Sequence, residues 1–202
     1  MSIALTVPER AQRVVASDLE IGILGQCEYP SPLADRLSQA AVHYVGQADR
    51  VLLDDRLSRV AEHREDFRRA PAFELAGPRH RVFFEPEKLR CGIVTCGGLC
   101  PGLNNVIRGL VVELTHGYGV RQILGFRYGY EGLVSRAHEP LALTPESVAE
   151  IHHEGGTVLG TSRGNQDPKA VVERLVELGI GVLFVIGGDG TCRGAMTIVA
   201  EV

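Results

Sequence analysis

Tryptophan is absent from this chain, and the other aromatics are few, five Tyr and six Phe among 202 residues. Glycine is abundant, at 24 residues. That balance fits an α/β protein with glycine-rich turns better than a β-sandwich. No apolar run approaches the roughly 18 residues of a membrane span. The opening stretch, "MSIALTVPERAQRVV", lacks the basic head and apolar core of a signal peptide. Positive charge is not in excess: 21 Lys and Arg stand against 25 Asp and Glu, for a net charge of −4. A general nucleic-acid or membrane-surface binder is therefore not expected. Paired cysteine spacing is missing too. Cys27, Cys91, Cys96, Cys100 and Cys192 are odd in number and contain no Cys-x-x-Cys. Reduced thiols in the cytoplasm follow as the expectation, and the cluster Cys91, Cys96 and Cys100 reads as buried small residues rather than as a zinc site.

The chain has two textures. Residues 1–89 are mixed and weakly periodic, with a possible amphipathic stretch, "ADRLSQAAVHYV" (Ala34–Val45), a charged run, "AEHREDFRRA" (Ala61–Ala70), and a turn at "AGPRH" (Ala76–His80). The charged run reads as a solvated face. Residues 90–202 repeat strand, loop and helix. "CGIVTC" (Cys91–Cys96) predicts a strand. "LNNVIRGLVVELTHGYG" predicts a helix with Val106, Ile107, Leu110, Val111 and Leu114 on one face, Pro101 in its first turn and Gly117 at its close. "VRQILGF" (Val120–Phe126) predicts a second strand. Thr144, Pro145 and Glu146 predict the start of a helix that runs to about Glu154, and "TVLGTS" (Thr157–Ser162) a third strand. Asp167 and Pro168 predict a helix cap, with Val171, Val172, Leu175 and Val176 spaced for burial and Gly179 at the end. "GVLFVI" (Gly181–Ile186) is apolar on both faces and predicts a central parallel strand, with a last helix opening after Gly190. The expected fold is α/β: a parallel sheet with helices on both faces, Rossmann-like and three-layered, and truncated.

In such sheets ligands bind outside the carboxyl ends of the strands. Three special segments fall there: Gly97–Asn104, Gly160–Gly164 and Gly187–Thr191. "CGGLCPGLN" and "IGGDGTCRG" are glycine loops leading from strand to helix, where bare backbone N–H groups and the helix dipole attract an anion. Neither is followed by Gly-Lys-Ser/Thr, so a Walker-type site is excluded. Asp189 would repel a phosphate held in its loop. Two readings stay open for it: a carboxylate on a Mg²⁺ ion shared with phosphate oxygens, or a cap for the helix that follows. Arg163 reads either as the cation for phosphoryl oxygens across the cleft or as a surface arginine.

The segments "GIVTCGGLCPGLNNVIRGLV", "GFRYGYEGL", "GGTVLGTSRG" and "VLFVIGGDGT" together resemble the phosphofructokinase family, in its order and spacing, over about Arg90 to Val202. The form "TCGGLCPGLN", with "AGPR" upstream and a long N-terminal extension, is similar to the plant and trypanosomatid branch. NAD kinases and diacylglycerol kinases also carry "GGDGT" but lack the loop at Gly97–Asn104. The resemblance implies phosphoryl transfer from ATP with Mg²⁺ to the 1-hydroxyl of fructose 6-phosphate. It also implies a homo-oligomer, a dimer or tetramer, when full length. It assigns Gly98 to the nucleotide phosphates, Tyr130 and Gly164 to the nucleotide's vicinity, and Arg163 to the transferring phosphate. Gly188, Asp189, Gly190 and Thr191 form a second phosphate loop, with Asp189 on the metal. Gly190 stands where pyrophosphate-using members place an aspartate, which favours ATP as the donor. Arg108 matches an effector-binding arginine of bacterial relatives, but Val112 replaces its companion, so Arg108 reads as a helix-surface residue. The family's catalytic base belongs to a "TIDND" segment with no match here, and His152 and His153, expected on a helix face, do not replace it. The chain is thus expected to be the N-terminal portion of an ATP-dependent enzyme: an extension, 1–89, and an incomplete nucleotide-binding domain, 90–202. A pyrophosphate-dependent enzyme and a non-catalytic nucleotide-binding fragment are the alternatives.

Overall fold

A computed structural model describes residues 14–33, 44–164 and 166–202. The opening stretch and most of Ala34–Val45 lie outside the described residues. The chain divides into two compact units, one of residues 1–26 and 41–80, the other of residues 27–40 and 81–202.

The second unit is built on a four-stranded sheet. Its strands are β1 (Arg90–Thr95), β2 (Gln122–Phe126), β3 (Leu141–Ala142) and β4 (Val182–Ile186), in the spatial order β3-β2-β1-β4. β1 pairs in parallel with β2, Ile93 opposite Gly125, and with β4, Ile93 opposite Phe184. Two-residue β3 is antiparallel to β2, so the sheet is mixed rather than wholly parallel. β1 is central, and Ile93 and Val94 are both fully buried, on opposite faces. One face packs Cys91 and Ile93 with Ile107 and Val111 of α1 (Leu103–Val112). The other packs Val94, Cys96 and Phe126 with Leu133 of α2 (Glu131–Val134), Val171 of α3 (Pro168–Glu177) and Ile198 of α4 (Asp189–Glu201). The three-layer α/β arrangement follows. It also separates Cys91 from Cys96, one in each core, while Cys100 is exposed. Among the described residues no three His, Cys, Asp or Glu are grouped to hold a metal ion.

The parallel strands need crossovers, and these place the site. The chain leaves β1 into α1 on one face, and leaves the neighbouring strand β4 into α4 on the other. Adjacent strands whose helices diverge open a crevice at their carboxyl ends.

Several local expectations are corrected. Val106 is exposed on α1, because the buried stripe runs through Leu103, Ile107 and Val111. Pro101 lies in the turn before α1, whose cap is Gly102. A π-helical turn, Glu113–Gly117, prolongs the helix, and the chain reverses at Gly119, not Gly117. Gly119 is left-handed, at φ 76°, and the Val120 N–H closes back on Leu114 O at 2.9 Å. Val176 is exposed on α3, while the Asp167 carboxylate accepts from Lys169 N–H at 3.2 Å and Gly179 ends the helix as expected.

No α-helix forms from Thr144. Thr144 Oγ accepts from Ser147 N–H and Ser147 Oγ from Thr144 N–H, a reciprocal cap, and Val148 N–H donates to Thr144 O, but this single turn is not continued as an α-helix. The segment continues as a turn and a short 3-10 helix, Ile151–His153, on which His152 and His153 are exposed. Thr157–Ser162 is not a strand; it turns at Gly160, φ 66°. β4 pairs only with β1 among the described residues, so it is an edge strand there, and its side chains are half-buried.

The first unit, over its described residues, is a small antiparallel pair, Arg50–Leu52 with Ala72–Glu74, and a short helix, Leu57–Glu62. The charged run 61–70 is mostly exposed, with Asp66 capping a 3-10 turn and pairing with Arg68 at 3.0 Å. No helix of the described residues is long and apolar enough to cross a membrane.

Candidate functional site

Three loops meet at the crevice between β1 and β4. The first, following β1, begins with Cys96, whose N–H donates to Ile186 O on β4 at 2.9 Å. The second is the irregular segment 157–164. It has no ladder, so its polar groups are paired one by one. Thr95 Oγ donates to Gly160 O at 2.7 Å and lies 3.0 Å from Thr157 Oγ. Tyr128 N–H donates to Leu159 O at 2.8 Å, and Gly97 N–H to Ser162 O at 3.3 Å. Buried Asn104 accepts from Val158 N–H at 2.8 Å and donates to Glu154 O at 3.1 Å. The third loop, Gly187–Thr191, passes directly from β4 into α4, with Gly188 as the helix cap. Tyr130 ties this turn down: its phenol donates to Thr191 O at 2.8 Å.

Together the loops enclose a cavity of about 380 Å³. All eight residues singled out in the sequence line it: Gly98, Tyr130, Arg163, Gly164, Gly188, Asp189, Gly190 and Thr191. The glycines fall into two classes. A side chain at Gly187 would come within 2.4 Å of Thr191 Oγ and 2.7 Å of Cys96 O, so packing alone demands glycine there. At Gly98, Gly188 and Gly190 a Cβ would meet nothing within 4 Å. None of these three needs a left-handed backbone. Their lack of side chains serves no packing purpose; it leaves open space along the cavity wall, as a close-fitting ligand requires.

Asp189 and Arg163 are the two charged side chains in the lining, both exposed, and neither makes an ion pair or side-chain hydrogen bond among the described residues. The cap position of α4 belongs to Gly188; the Asp189 carboxylate lies in the first turn, where the helix dipole favours it, and makes no capping hydrogen bond among the described residues. An unengaged carboxylate beside room for phosphate oxygens fits a Mg²⁺ ion, which takes one or two carboxylates and completes its shell with phosphate and water. The neutral part of the wall stays neutral: burial pushes the Tyr130 phenol up to about 12 and the Cys96 thiol to about 11.

A second cavity, of about 490 Å³, adjoins the first through Tyr130 and Gly190 and runs between α3 and α4, past Gln166, Arg193 and Gly194. These three residues escaped sequence reasoning. One signal was available: a glycine inside a helix is costly, and Gly194 is required because a Cβ would approach the Tyr130 ring to 2.8 Å. Arg108 lies away from the lining, its Nε donating to Ala149 O at 3.2 Å. His153 stands 3.6 Å from Glu150 and also lies outside it.

The phosphofructokinase family model matches residues 90–202, more than half of the chain. The chain belongs to the phosphofructokinase family. The ATP-dependent 6-phosphofructokinase of Amycolatopsis methanolica is 52% identical over 180 residues, 88% of this chain and 39% of that protein. That of Trypanosoma brucei brucei is 39% identical over 190 residues, 93% of this chain and 39% of the relative. An Arabidopsis thaliana member, ATP-dependent 6-phosphofructokinase 7, is 43% identical over 175 residues, 86% of this chain and 35% of that protein. The chain thus spans about two fifths of the length of these phosphofructokinases. Among solved structures, phosphofructokinase from Saccharomyces cerevisiae superimposes with a TM-score of 0.52 at 31% identity, covering 56% of this chain and 16% of that one.

Proposed function

We propose that this chain supplies the phosphoryl-donor half of an ATP-dependent 6-phosphofructokinase, a cytoplasmic and homo-oligomeric enzyme when full length. The reaction would be transfer of the γ-phosphoryl group of ATP to the 1-hydroxyl of fructose 6-phosphate. Residues 1–89 are proposed as an extension on the nucleotide-binding domain, 90–202. The observation that carries the reading is the single cavity bounded by three loops, whose free glycine faces, one cation and one unengaged carboxylate match the needs of a polyphosphate.

Phosphoryl transfer asks a protein for positioning and charge stabilisation more than for covalent help. Main-chain N–H groups at Gly188, Gly190 and Thr191 would bind phosphate oxygens at the start of α4, where the helix dipole adds positive potential, and that of Gly98 would bind them from the loop after β1. Arg163, whose planar fork matches phosphoryl oxygens, would orient the transferring group and stabilise its charge. Asp189 would hold Mg²⁺, which when bound neutralises charge on the polyphosphate. Tyr130 and Gly164 bound the nucleotide's path, and the adjoining cavity past Gly190 offers the volume a nucleoside needs and pyrophosphate does not. The names of the relatives, ATP-dependent in each case, support the same donor.

The test is isothermal titration of the chain with ATP in the presence and absence of Mg²⁺, beside pyrophosphate. Saturable, Mg²⁺-dependent binding of ATP, with weaker binding of pyrophosphate, is expected. Gly190→Asp places a carboxylate in open space within the cavity and should reverse that order. A chain that takes up neither ligand would sink the proposal.

A further inference from the structure

Gly97 is held on both its main-chain groups by one stretch of chain. Its carbonyl accepts from Thr161 Oγ at 2.7 Å, and its N–H donates to Ser162 O at 3.3 Å. The two bonds close a ring across the base of the cavity. One side of that ring is the residue next to Gly98; the other lies immediately before Arg163. Gly97 is in the left-handed region, at φ 82°, which glycine adopts without steric cost. Neither loop carries a strand ladder at this point, so nothing in the secondary structure fixes their separation. Thr161 is half-buried and does not itself line the cavity.

We propose that Thr161 is a positioning residue: its hydroxyl sets the separation of the Gly98 and Arg163 main chains, and so the base from which the Arg163 side chain reaches phosphate held at Gly98. This rests on the donor-site reading above. A polyphosphate bridging the two loops gains from both only if they stand at the right separation, and displacements on the order of 1 Å carry large penalties in such sites. The side chain acts through main chain alone, which is why its effect requires the hydroxyl and not merely its volume.

The experiment compares the chain with Thr161→Val, which keeps the shape and removes the hydroxyl, and Thr161→Ser, which keeps the hydroxyl. Amide hydrogen exchange at Gly97 and titration with MgATP are measured on each. Thr161→Val is expected to speed Gly97 exchange, lower the thermal midpoint by a few degrees as the loss of a donor to a part-buried carbonyl should, and weaken MgATP about fivefold to tenfold. Thr161→Ser should restore both readings to within about twofold. Thr161→Ala provides the same comparison should the valine variant fail to fold. Wild-type exchange or affinity in the hydroxyl-less variants, or a serine variant as weak as valine, would overturn the proposal. A wild-type chain that binds no MgATP would instead sink the donor-site reading, and the exchange rates alone would then decide whether Thr161 braces the loops.

Discussion

The two arms of the cavity are built on different principles. Gly187–Thr191 is a strand-to-helix turn. β4 ends, Gly188 caps α4, and regular hydrogen bonding resumes within one turn, with Cys192 N–H on Gly188 O at 3.0 Å. Residues 157–164 have no regular structure; the side chains of Thr95 and Asn104 hold them from elsewhere, and Thr161 ties the segment outward to Gly97 O. A backbone-made arm tolerates side-chain change except where atoms touch. A side-chain-made arm depends on particular hydroxyl and amide groups far away in sequence.

The largest expected effect breaks the comparison at the shared ligand. Asp189→Ala should weaken Mg²⁺-dependent ATP binding by about 100-fold, as loss of a metal's protein support does. Titration with and without the metal reads it, and an unchanged affinity would remove Asp189 from the metal. Next, Gly187→Ala should lower unfolding stability by about 2–3 kcal/mol, because the added methyl meets main chain at Cys96 O. Gly188→Ala, facing open space, should cost under about 1 kcal/mol yet weaken ATP. Denaturant unfolding of both variants sharpens the distinction between glycines kept for packing and glycines kept for room.

On the other arm, Thr95→Val leaves Gly160 O without its donor. A loss of about 1–3 kcal/mol is expected, with a shifted spectrum for residues 157–162. A neutral result would show that the irregular arm does not need its side-chain supports.

Alkali tests the buried wall separately. Burial raises Cys91 and Cys96 from 9.0 to about 11 and Tyr130 from 10.0 to about 12, so the folded state prefers their neutral forms. Their contribution is complete below about pH 9 and is lost as pH rises toward 11 and 12. Stability should fall across that window, and a flat profile in chemical denaturation would contradict the burial. In the same window a thiol reagent should find Cys100 and Cys192 before Cys91 and Cys96.

Legibility followed the same division. β1, β2, α1, α3 and β4 were readable because apolar periodicity and cap residues such as Asp167 act within a few positions. The eight lining residues were reached through motif resemblance and strand-end placement, and they converge because β1 and β4 are neighbours. The failures lie where local signals were ambiguous or overruled. "TVLGTS" has the β-branched and apolar texture of a strand, but it turns on Thr157, and its longer-range hydrogen bonds go to Thr95, Gly97, Asn104 and Tyr128, none of which is near it in sequence. Thr144–Glu146 carries a genuine capping signal, and Thr144 and Ser147 do form the reciprocal cap, yet the turn is not continued as an α-helix. Gln166, Arg193 and Gly194 carried no local mark beyond a helical glycine.

By itself the sequence determined the α/β class, the glycine loops at strand ends, and the charge types available there, because those depend on local periodicity and on which atoms each side chain carries. The tertiary structure alone decided that β4 lies beside β1, that helices diverge there, and that Thr95, Asn104 and Thr161 stand in for a missing ladder. Those outcomes depend on groups brought together from across the chain, and no local propensity encodes which distant hydroxyl will meet which carbonyl.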